Sequence, residues 1–252
     1  MKLAIIGGSL LGELTNLSRV ADERTKTPFG QPSDTFVSGN IADLEVVYFN
    51  RHGSSHHLAP HQINYRANMY VLKMLEVTDV IAITAVGGIT EKMSPMTWVV
   101  PDQIIDYSYG RMQTYNDGNE SEVKHIDFSY PFELTLRKKL QTAVETEGME
   151  CISLATYGVT QGPRLETIAE IKRMQNDGCD IVGMTAMPEA ALARELDINY
   201  ATLSLVVNWA AGKGDEADQR SEIISMDEIR QRISDGNEII EKLVHNIVSL
   251  YN

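Results

Sequence analysis

The sequence predicts an α/β fold in which a central β-sheet carries helices on both faces. Short apolar segments typical of buried strands alternate with amphipathic segments whose apolar residues recur at helical spacing. No Pro-rich or Ser-rich linker and no internal repeat divides the chain, and 252 residues suit one large domain. We therefore expect a single domain over residues 1–252.

Seven short apolar segments have the composition of buried strands. They are Leu3–Ile6, Leu44–Phe49, Asp79–Thr84, Trp98–Ile105, Ile152–Tyr157, Asp180–Met184 and Tyr200–Val207. Helices with one buried stripe are predicted over Pro60–Leu75 and Leu165–Met174, and Glu189 is interpreted as an ordinary helix-start residue. A last helix is predicted after Ser225, which forms a capping-box pattern with Glu228.

The charge balance argues against several classes of partner. The chain has 22 basic and 35 acidic residues, a net charge of −13, so neither nucleic acid nor an anionic membrane is an expected partner. No apolar run approaches the roughly 20 residues of a membrane span, and the N-terminal segment is typical of a first strand rather than a signal peptide. Two isolated cysteines, Cys151 and Cys179, suit a reducing compartment, so we expect a cytoplasmic protein.

The segment Ile5–Gly12, IIGGSLLG, follows the first predicted strand and carries groups that bind anions. Glycines let backbone amides approach an anion closely, and Ser9 adds a hydroxyl donor. The segment lacks the GK[ST] of a P-loop, and its glycines are out of register with GxGxxG. A plain strand-to-helix turn is the alternative.

A second segment, FNRHGSSHHLAPH, places Arg51 and His52 directly after another strand. A guanidinium offers forked donors that suit an oxyanion. His52, His56 and His57 could instead bind a metal, but no nearby Cys or carboxylate completes a ligand set, so no metal is predicted. An exposed basic loop is the remaining alternative.

Further polar side chains stand at the ends of other predicted strands, namely Thr84, Glu166, Thr185 and Asn208. Open α/β sheets bind ligands at the carboxyl ends of their strands, so these groups are expected to meet at one edge. Glu166 is placed in the first turn of its helix, where its alternative role is to complement the helix dipole. The charged, Gly-rich segment Ala210–Glu222 is either a lid over this edge or a plain exposed connection.

Together these segments resemble a known family. The chain contains, in order, IGGS, RHG with a downstream PHQINYRAN, TAVGG, GPRLET, MTAMPE and VVN. It thereby resembles the trimeric purine nucleoside phosphorylase and methylthioadenosine phosphorylase family, and most nearly the phosphorylases of S-methyl-5'-thioinosine. The resemblance implies a mixed central β-sheet flanked by helices and a homotrimer with sites near subunit interfaces. It also implies a small-molecule nucleoside and inorganic phosphate as co-substrates, with no cofactor.

The resemblance also assigns roles to individual residues. The phosphate ligands would be Ser9, Arg51, His52, Thr84 and Thr185. Met184 would lie beneath the ribose, Leu165 would cover one face of the purine, and the sugar-and-base cleft would be lined by Ala85, Val86 and Gly87. Phosphorolysis needs an anchored phosphate on one side of a cationic sugar and hydrogen bonds to the departing base on the other. Asn208, Glu166 and His52 are the expected catalytic groups.

The resemblance also indicates the preferred base, chiefly through Glu166 and Asn208. Adenine-cleaving members carry Asp at the position of Asn208, a second Asp at that of Ala210, and a small hydroxyl residue at that of Glu166. The Glu166 carboxylate accepts from a protonated N1, which hypoxanthine and guanine have and adenine lacks. The Asn208 amide can donate to O6 and accept from a protonated N7. Both differences indicate a 6-oxopurine.

The 5' substituent is expected to face Met226 and Ile229, which are apolar where inosine-cleaving relatives place a histidine near the second position. This favours a methylthio group, although both residues could merely begin the buried stripe of the last helix. His56 and, from a neighbouring subunit, His125 would also reach this pocket.

The expected reaction is therefore S-methyl-5'-thioinosine plus phosphate giving hypoxanthine and 5-methylthioribose 1-phosphate, in purine and methylthio salvage. The alternatives are an inosine and guanosine phosphorylase, a methylthioadenosine phosphorylase, a nucleosidase that needs no phosphate, and a catalytically silent nucleotide-binding module. Two departures from the family pattern stand out. Leu10 replaces the glycine after the hydroxyl residue, and Leu165 replaces an aromatic against the base.

Overall fold

The computed structural model describes residues 1–11, 14, 18–23, 26–116, 118, 123–214 and 224–251. Within these residues, eleven strands form one mixed sheet with five α-helices against it. The strands are β1 (Leu3–Gly7), β2 (Ser18–Glu23), β3 (Phe36–Ile41), β4 (Leu44–Asn50), β5 (Asp79–Gly88), β6 (Trp98–Val99), β7 (Gln103–Asp106), β8 (Cys151–Ile152), β9 (Thr156–Val159), β10 (Ile181–Gly183) and β11 (Asn199–Trp209). The helices are α1 (Tyr65–Met74), α2 (Leu134–Thr146), α3 (Ile168–Asn176), α4 (Ala186–Glu195) and α5 (Met226–Ser249), with a 3₁₀ turn at Pro60–Gln62.

The centre of the sheet is parallel. β1 lies between β4 and β5 and runs parallel to both, and β11 runs parallel to β5 along the whole of Asp79–Gly88. β10 joins the far end of β5 in the antiparallel sense, through the pairs Ile181 with Gly88 and Val182 with Gly87. The sheet is thus mixed, and the carboxyl ends of β1, β4, β5 and β11 meet at one edge.

Each face of the sheet carries its own hydrophobic core. Alternate residues of β1 point to opposite faces, so Ala4 and Ile6 join one core while Leu3 and Ile5 join the other. Helices α1 and α4 cover the first core, and α2 and α5 cover the second. The predicted α/β class with helices on both faces is confirmed.

Two predicted strands are each broken into two. The segment Trp98–Ile105 forms β6 and β7, because Pro101 between them has no N–H to donate to a ladder. The predicted strand Ile152–Tyr157 covers the last residue of β8 and the first two residues of β9, and residues 153–155 between them belong to neither strand. The short strands β6 and β8 pair with each other at the side of β11, away from the path that leads to β7.

The start of α3 was also predicted wrongly. The Thr167 hydroxyl accepts from the Glu170 N–H (3.2 Å), and the Glu170 carboxylate accepts from the Thr167 N–H (2.8 Å). This capping box begins the helix at Ile168, so Glu166 lies in the preceding loop rather than in the first turn. Glu166 is therefore free to turn toward the sheet edge.

Helix α5 begins as predicted, with one difference at its cap. The Ser225 hydroxyl accepts from the Glu228 N–H (3.3 Å), whereas the Glu228 carboxylate accepts from Arg232 (3.1 Å) one turn further along. Among the residues that the structure describes, no helix has both the length and the apolar composition needed to cross a bilayer.

Candidate active site

A cavity of about 480 Å³ opens at the carboxyl edge of the central strands. Every predicted site residue except His125 lines it. These are Ser9, Arg51, His52, His56, Thr84, Ala85, Val86, Gly87, Leu165, Glu166, Met184, Thr185, Asn208, Met226 and Ile229. His125 is exposed and lies outside this cavity, so its contribution from a neighbouring subunit stays a prediction.

The loop after β1 packs closely against the Arg51 guanidinium. A Cβ atom at Gly8 would lie 2.6 Å from Arg51 Nη1, so only glycine leaves room at this position. Leu10, which replaces the family's glycine, is fully buried. The next residue, Leu11, donates its N–H to the side chain of Asn237 in α5 (2.9 Å). The departure at Leu10 therefore adds a core contact, while Ser9 still lines the cavity.

Arg51 is held by a carboxylate that sequence analysis missed. Its Nε and Nη2 donate to the two oxygens of Glu189 (3.1 and 3.2 Å), and both side chains are 1% exposed. Glu189 also accepts from the Tyr200 hydroxyl (2.9 Å), and Arg51 Nη1 donates to the Ile83 carbonyl (2.9 Å). Glu189 does lie in the first turn of α4, as predicted, and its carboxylate is in addition the buried counter-ion of Arg51.

This geometry fixes both the charge and the direction of the guanidinium. Burial opposes the charged form of Arg51, but the adjacent Glu189 carboxylate outweighs it, and the pKa of Arg51 is raised. Glu189 and Ile83 accept from three of the five guanidinium N–H groups of Arg51. One N–H on each terminal nitrogen is left without a partner among these residues. Since Arg51 lines the cavity, these are the donors available to an anion.

His52 contributes an acceptor rather than a positive charge. The pKa of His52 is lowered to about 4, chiefly by burial and also by the neighbouring Arg51 and His56, against the opposing effect of a hydrogen bond to Leu58. Because the Leu58 carbonyl can only accept, the 2.8 Å contact assigns the proton to Nδ1 and leaves a lone pair on Nε2. The His56 ring lies 4.4 Å from the His52 ring, centre to centre.

The two threonines differ in their surroundings. Thr84 is buried, and its hydroxyl contacts those of Ser204 (2.7 Å) and Thr202 (3.2 Å) on the adjacent strand β11. Thr185 stands at the N-terminus of α4, yet its hydroxyl makes no capping bond there, unlike Thr167 at the start of α3. The Thr185 hydroxyl is thus available to a ligand in the cavity that it lines.

Glu166 and Asn208 both line the cavity with polar groups. One oxygen of Glu166 accepts from the Thr160 hydroxyl (2.6 Å). Asn208 Nδ2 donates to the Trp209 carbonyl (2.6 Å), which leaves its second N–H and its oxygen for a ligand. The pairing of β11 with β5 shifts register between Val206 and Asn208, a bulge that redirects the side chains there.

Another part of the cavity lining is apolar. Ile229, which is 8% exposed, and Met226, which is half-exposed, come from the first turn of α5. Sequence analysis did not single out Val207, Ile224 and Ile233, which extend this wall. Of the predicted lid, Ala210 lines the cavity, whereas residues 215–223 lie outside the described residues. In the described part of the chain, no group of three or more His, Cys, Asp or Glu side chains is placed to hold a metal ion.

Comparisons with known proteins identify the family. Residues 2–248 match the family model described as the phosphorylase superfamily. A probable S-methyl-5'-thioinosine phosphorylase of Pseudomonas syringae pv. tomato is 46% identical over 98% of both chains. A 6-oxopurine nucleoside phosphorylase of Pyrococcus furiosus is 41% identical over 89% of this chain and 86% of its own. The structure of methylthioadenosine phosphorylase from Schistosoma mansoni with adenine superposes with a TM-score of 0.90 at 29% identity, covering 99% of this chain and 91% of that one.

Proposed function

The chain belongs to the phosphorylase superfamily, and on that premise we propose that it cleaves 6-oxopurine nucleosides by phosphorolysis, with S-methyl-5'-thioinosine as the preferred substrate. Phosphate attacks the anomeric carbon as the glycosidic bond breaks. The products are hypoxanthine and 5-methylthioribose 1-phosphate. The observation that carries the proposal is the placement of Glu166 and Asn208 in the same cavity as Arg51.

At the base end, the two side chains complement a 6-oxopurine. Glu166 has one oxygen turned to Thr160 and one oxygen for the N1–H of hypoxanthine. Asn208 has an N–H for O6 and an oxygen for a protonated N7. Negative charge develops on the base as the bond breaks, so these hydrogen bonds strengthen in the transition state and favour departure.

At the phosphate end, the positive charge is carried by Arg51, whose position is fixed by its hydrogen bonds to Glu189 and Ile83. The two unengaged N–H groups of Arg51 and the hydroxyls of Ser9, Thr84 and Thr185 supply donors. The lone pair on His52 Nε2 accepts from the hydroxyl of a protonated phosphate. One buried, counter-balanced arginine is thus enough to bind the anion in a chain whose net charge is −13.

At the sugar end, the apolar wall of Ile229, Ile233 and Val207 favours a methylthio group over a hydroxyl. The imidazoles of His56 and His57 also reach the cavity, and they support the second candidate, an inosine and guanosine phosphorylase. Initial rates with phosphate on S-methyl-5'-thioinosine, inosine and S-methyl-5'-thioadenosine separate these candidates. The proposal expects that order of kcat/KM, and a preference for the thioadenosine would contradict it.

The proposal extends to the setting of the reaction. We expect a cytoplasmic homotrimer that acts in purine and methylthio salvage without metal or cofactor, with His125 of a neighbouring subunit near the sugar. His125, Tyr109 and Tyr130 are each exposed in the single chain, as residues that a neighbouring subunit would cover must be. Light scattering tests the trimer, and activity in the presence of a chelator tests the absence of a metal.

A further inference from the structure

Thr160 makes a short hydrogen bond to the carboxylate that faces the base. Its hydroxyl donates to Glu166 Oε1 at 2.6 Å, a distance typical of a strong bond to an ionised oxygen. Thr160 does not line the main cavity. It lines a second cavity of about 180 Å³ on the other side of Glu166. Thr160 therefore acts on a bound base only through Glu166.

The Thr160 hydroxyl is anchored to the rest of the site. The backbone N–H of Thr160 donates to the carbonyl of Gly183 at the end of β10 (2.8 Å), and the Thr160 hydroxyl lies 3.3 Å from the same oxygen. Met184 and Thr185, at the sugar and the phosphate, directly follow Gly183. The position of the Glu166 carboxylate is thus tied to the strand end that carries the other ligand contacts.

The number of free carboxylate oxygens affects which 6-oxopurine binds best. Hypoxanthine presents one donor on this edge, N1–H, whereas guanine presents two parallel donors, N1–H and the 2-amino group. A carboxylate with both oxygens free pairs with two parallel donors in bidentate fashion. A carboxylate with one oxygen already engaged pairs best with a single donor.

We propose that Thr160 is a positioning residue that makes the base site favour hypoxanthine over guanine, by engaging one oxygen of Glu166. This inference rests on the proposed function, because it requires Glu166 to face N1 of a 6-oxopurine. Guanine must either share Oε1 with the Thr160 hydroxyl, where an oxygen that already accepts one hydrogen bond accepts a second less strongly, or leave its 2-amino group without a full partner.

The test compares inosine with guanosine, which have the same sugar, so that effects at the 5' end cancel. Thr160→Val removes the hydroxyl at nearly constant volume, Thr160→Ser keeps it, and Thr160→Ala serves if the valine variant is unstable. Thr90→Val is the matched control, because Thr90 donates to the Asp180 carboxylate (3.2 Å) outside both cavities. The readout is the guanosine-to-inosine ratio of kcat/KM.

Wild-type protein is expected to favour inosine, and Thr160→Ser and Thr90→Val should leave the ratio within about twofold. Thr160→Val should raise it by about fivefold or more, as expected for one additional hydrogen bond to a charged group. An equal loss on both nucleosides with an unchanged ratio would overturn the inference and leave 6-oxopurine phosphorolysis standing. A wild-type preference for adenosine would instead overturn both the inference and the proposed function.

Discussion

The carboxylate of Glu189 holds the guanidinium of Arg51 through two hydrogen bonds, of 3.1 and 3.2 Å, at a depth where both side chains are 1% exposed. The two residues are 138 positions apart in the sequence. Glu189 lies at the start of α4 and Arg51 directly after β4, so the pair joins two elements that border the cavity. The arginine that we propose as a phosphate ligand is thus held in place by a carboxylate that does not line the cavity.

Glu189→Gln should weaken phosphate binding more than nucleoside binding. The amide keeps the shape but lacks the charge, so Arg51 loses its counter-ion and one of the two hydrogen bonds that fix its direction. Breaking a buried ion pair costs about 3–5 kcal/mol when a charge is left unpaired. We expect a lower midpoint of thermal unfolding and a KM for phosphate raised by about tenfold or more. Asp197→Asn, which removes an exposed ion pair with Lys124, is the control. Equal changes in both KM values would contradict a role in aiming Arg51.

His52 should make the protein less stable in mild acid. Its pKa of about 4 in the folded state lies below the unfolded value of 6.5, so the unfolded chain binds the proton more readily between these values. The contribution of His52 to the free energy of unfolding is therefore complete above about pH 6.5 and falls by about 2 kcal/mol by pH 4.5. Denaturant unfolding at pH 7 and pH 4.5 measures this loss. His52→Asn keeps a donor for Leu58 and should lose less stability over the same interval; an identical loss in both proteins would refute the assignment.

Glu166→Ser combined with Asn208→Asp should shift the base preference toward adenine. The serine hydroxyl can donate to the unprotonated N1 of adenine, and an aspartate at position 208 can accept from its 6-amino group. We expect the ratio of kcat/KM for S-methyl-5'-thioadenosine over S-methyl-5'-thioinosine to rise by about tenfold or more. Each single variant serves as a control for general loss of activity. Unchanged selectivity in the double variant would show that these side chains do not recognise the base.

Ile229→His should reduce the preference for a methylthio group. The imidazole offers a hydrogen bond to a 5'-hydroxyl and interrupts the apolar wall at a residue that is 8% exposed. The expected result is a fall of about tenfold in the ratio of kcat/KM for S-methyl-5'-thioinosine over inosine. Ile239→His, on the same helix but outside the cavity, controls for destabilisation of α5. An equal effect of the two variants on the ratio would argue that Ile229 only packs the helix.

The strand-end residues of the site could be predicted from the sequence because the carboxyl ends of neighbouring strands meet at one edge. Glu189 could not be identified in this way. An acidic residue just after a proline is typical of any helix start, and its partner is distant in sequence. The hydrogen bond from Thr160 to Glu166 was not predicted either. Sequence analysis began the helix at Leu165, whereas the Thr167 cap begins it at Ile168, so Glu166 lies in the loop and not in the first helical turn.

Part of the fold was also not predictable from local patterns. Strand β3, with the sequence FVSGNI, contains Ser, Gly and Asn and has low intrinsic strand propensity. It forms because five of its residues pair with β4, an effect of tertiary structure. Helix α2, by contrast, carries local signals that sequence analysis missed: the Glu133 carboxylate caps it by accepting from the Leu136 N–H (2.6 Å), and Leu136, Leu140, Ala143 and Val144 form a regular buried stripe.

The central claim, phosphorolysis of a 6-oxopurine nucleoside, is tested most directly by a competition assay. Equal concentrations of S-methyl-5'-thioinosine and S-methyl-5'-thioadenosine are incubated with the protein, with and without inorganic phosphate, and the released bases are quantified. We predict that hypoxanthine appears first and only when phosphate is present, and that 5-methylthioribose 1-phosphate forms in an amount equal to the sum of the released bases. Release of adenine ahead of hypoxanthine, or of either base at the same rate without phosphate, would contradict the roles assigned to Glu166 and Arg51.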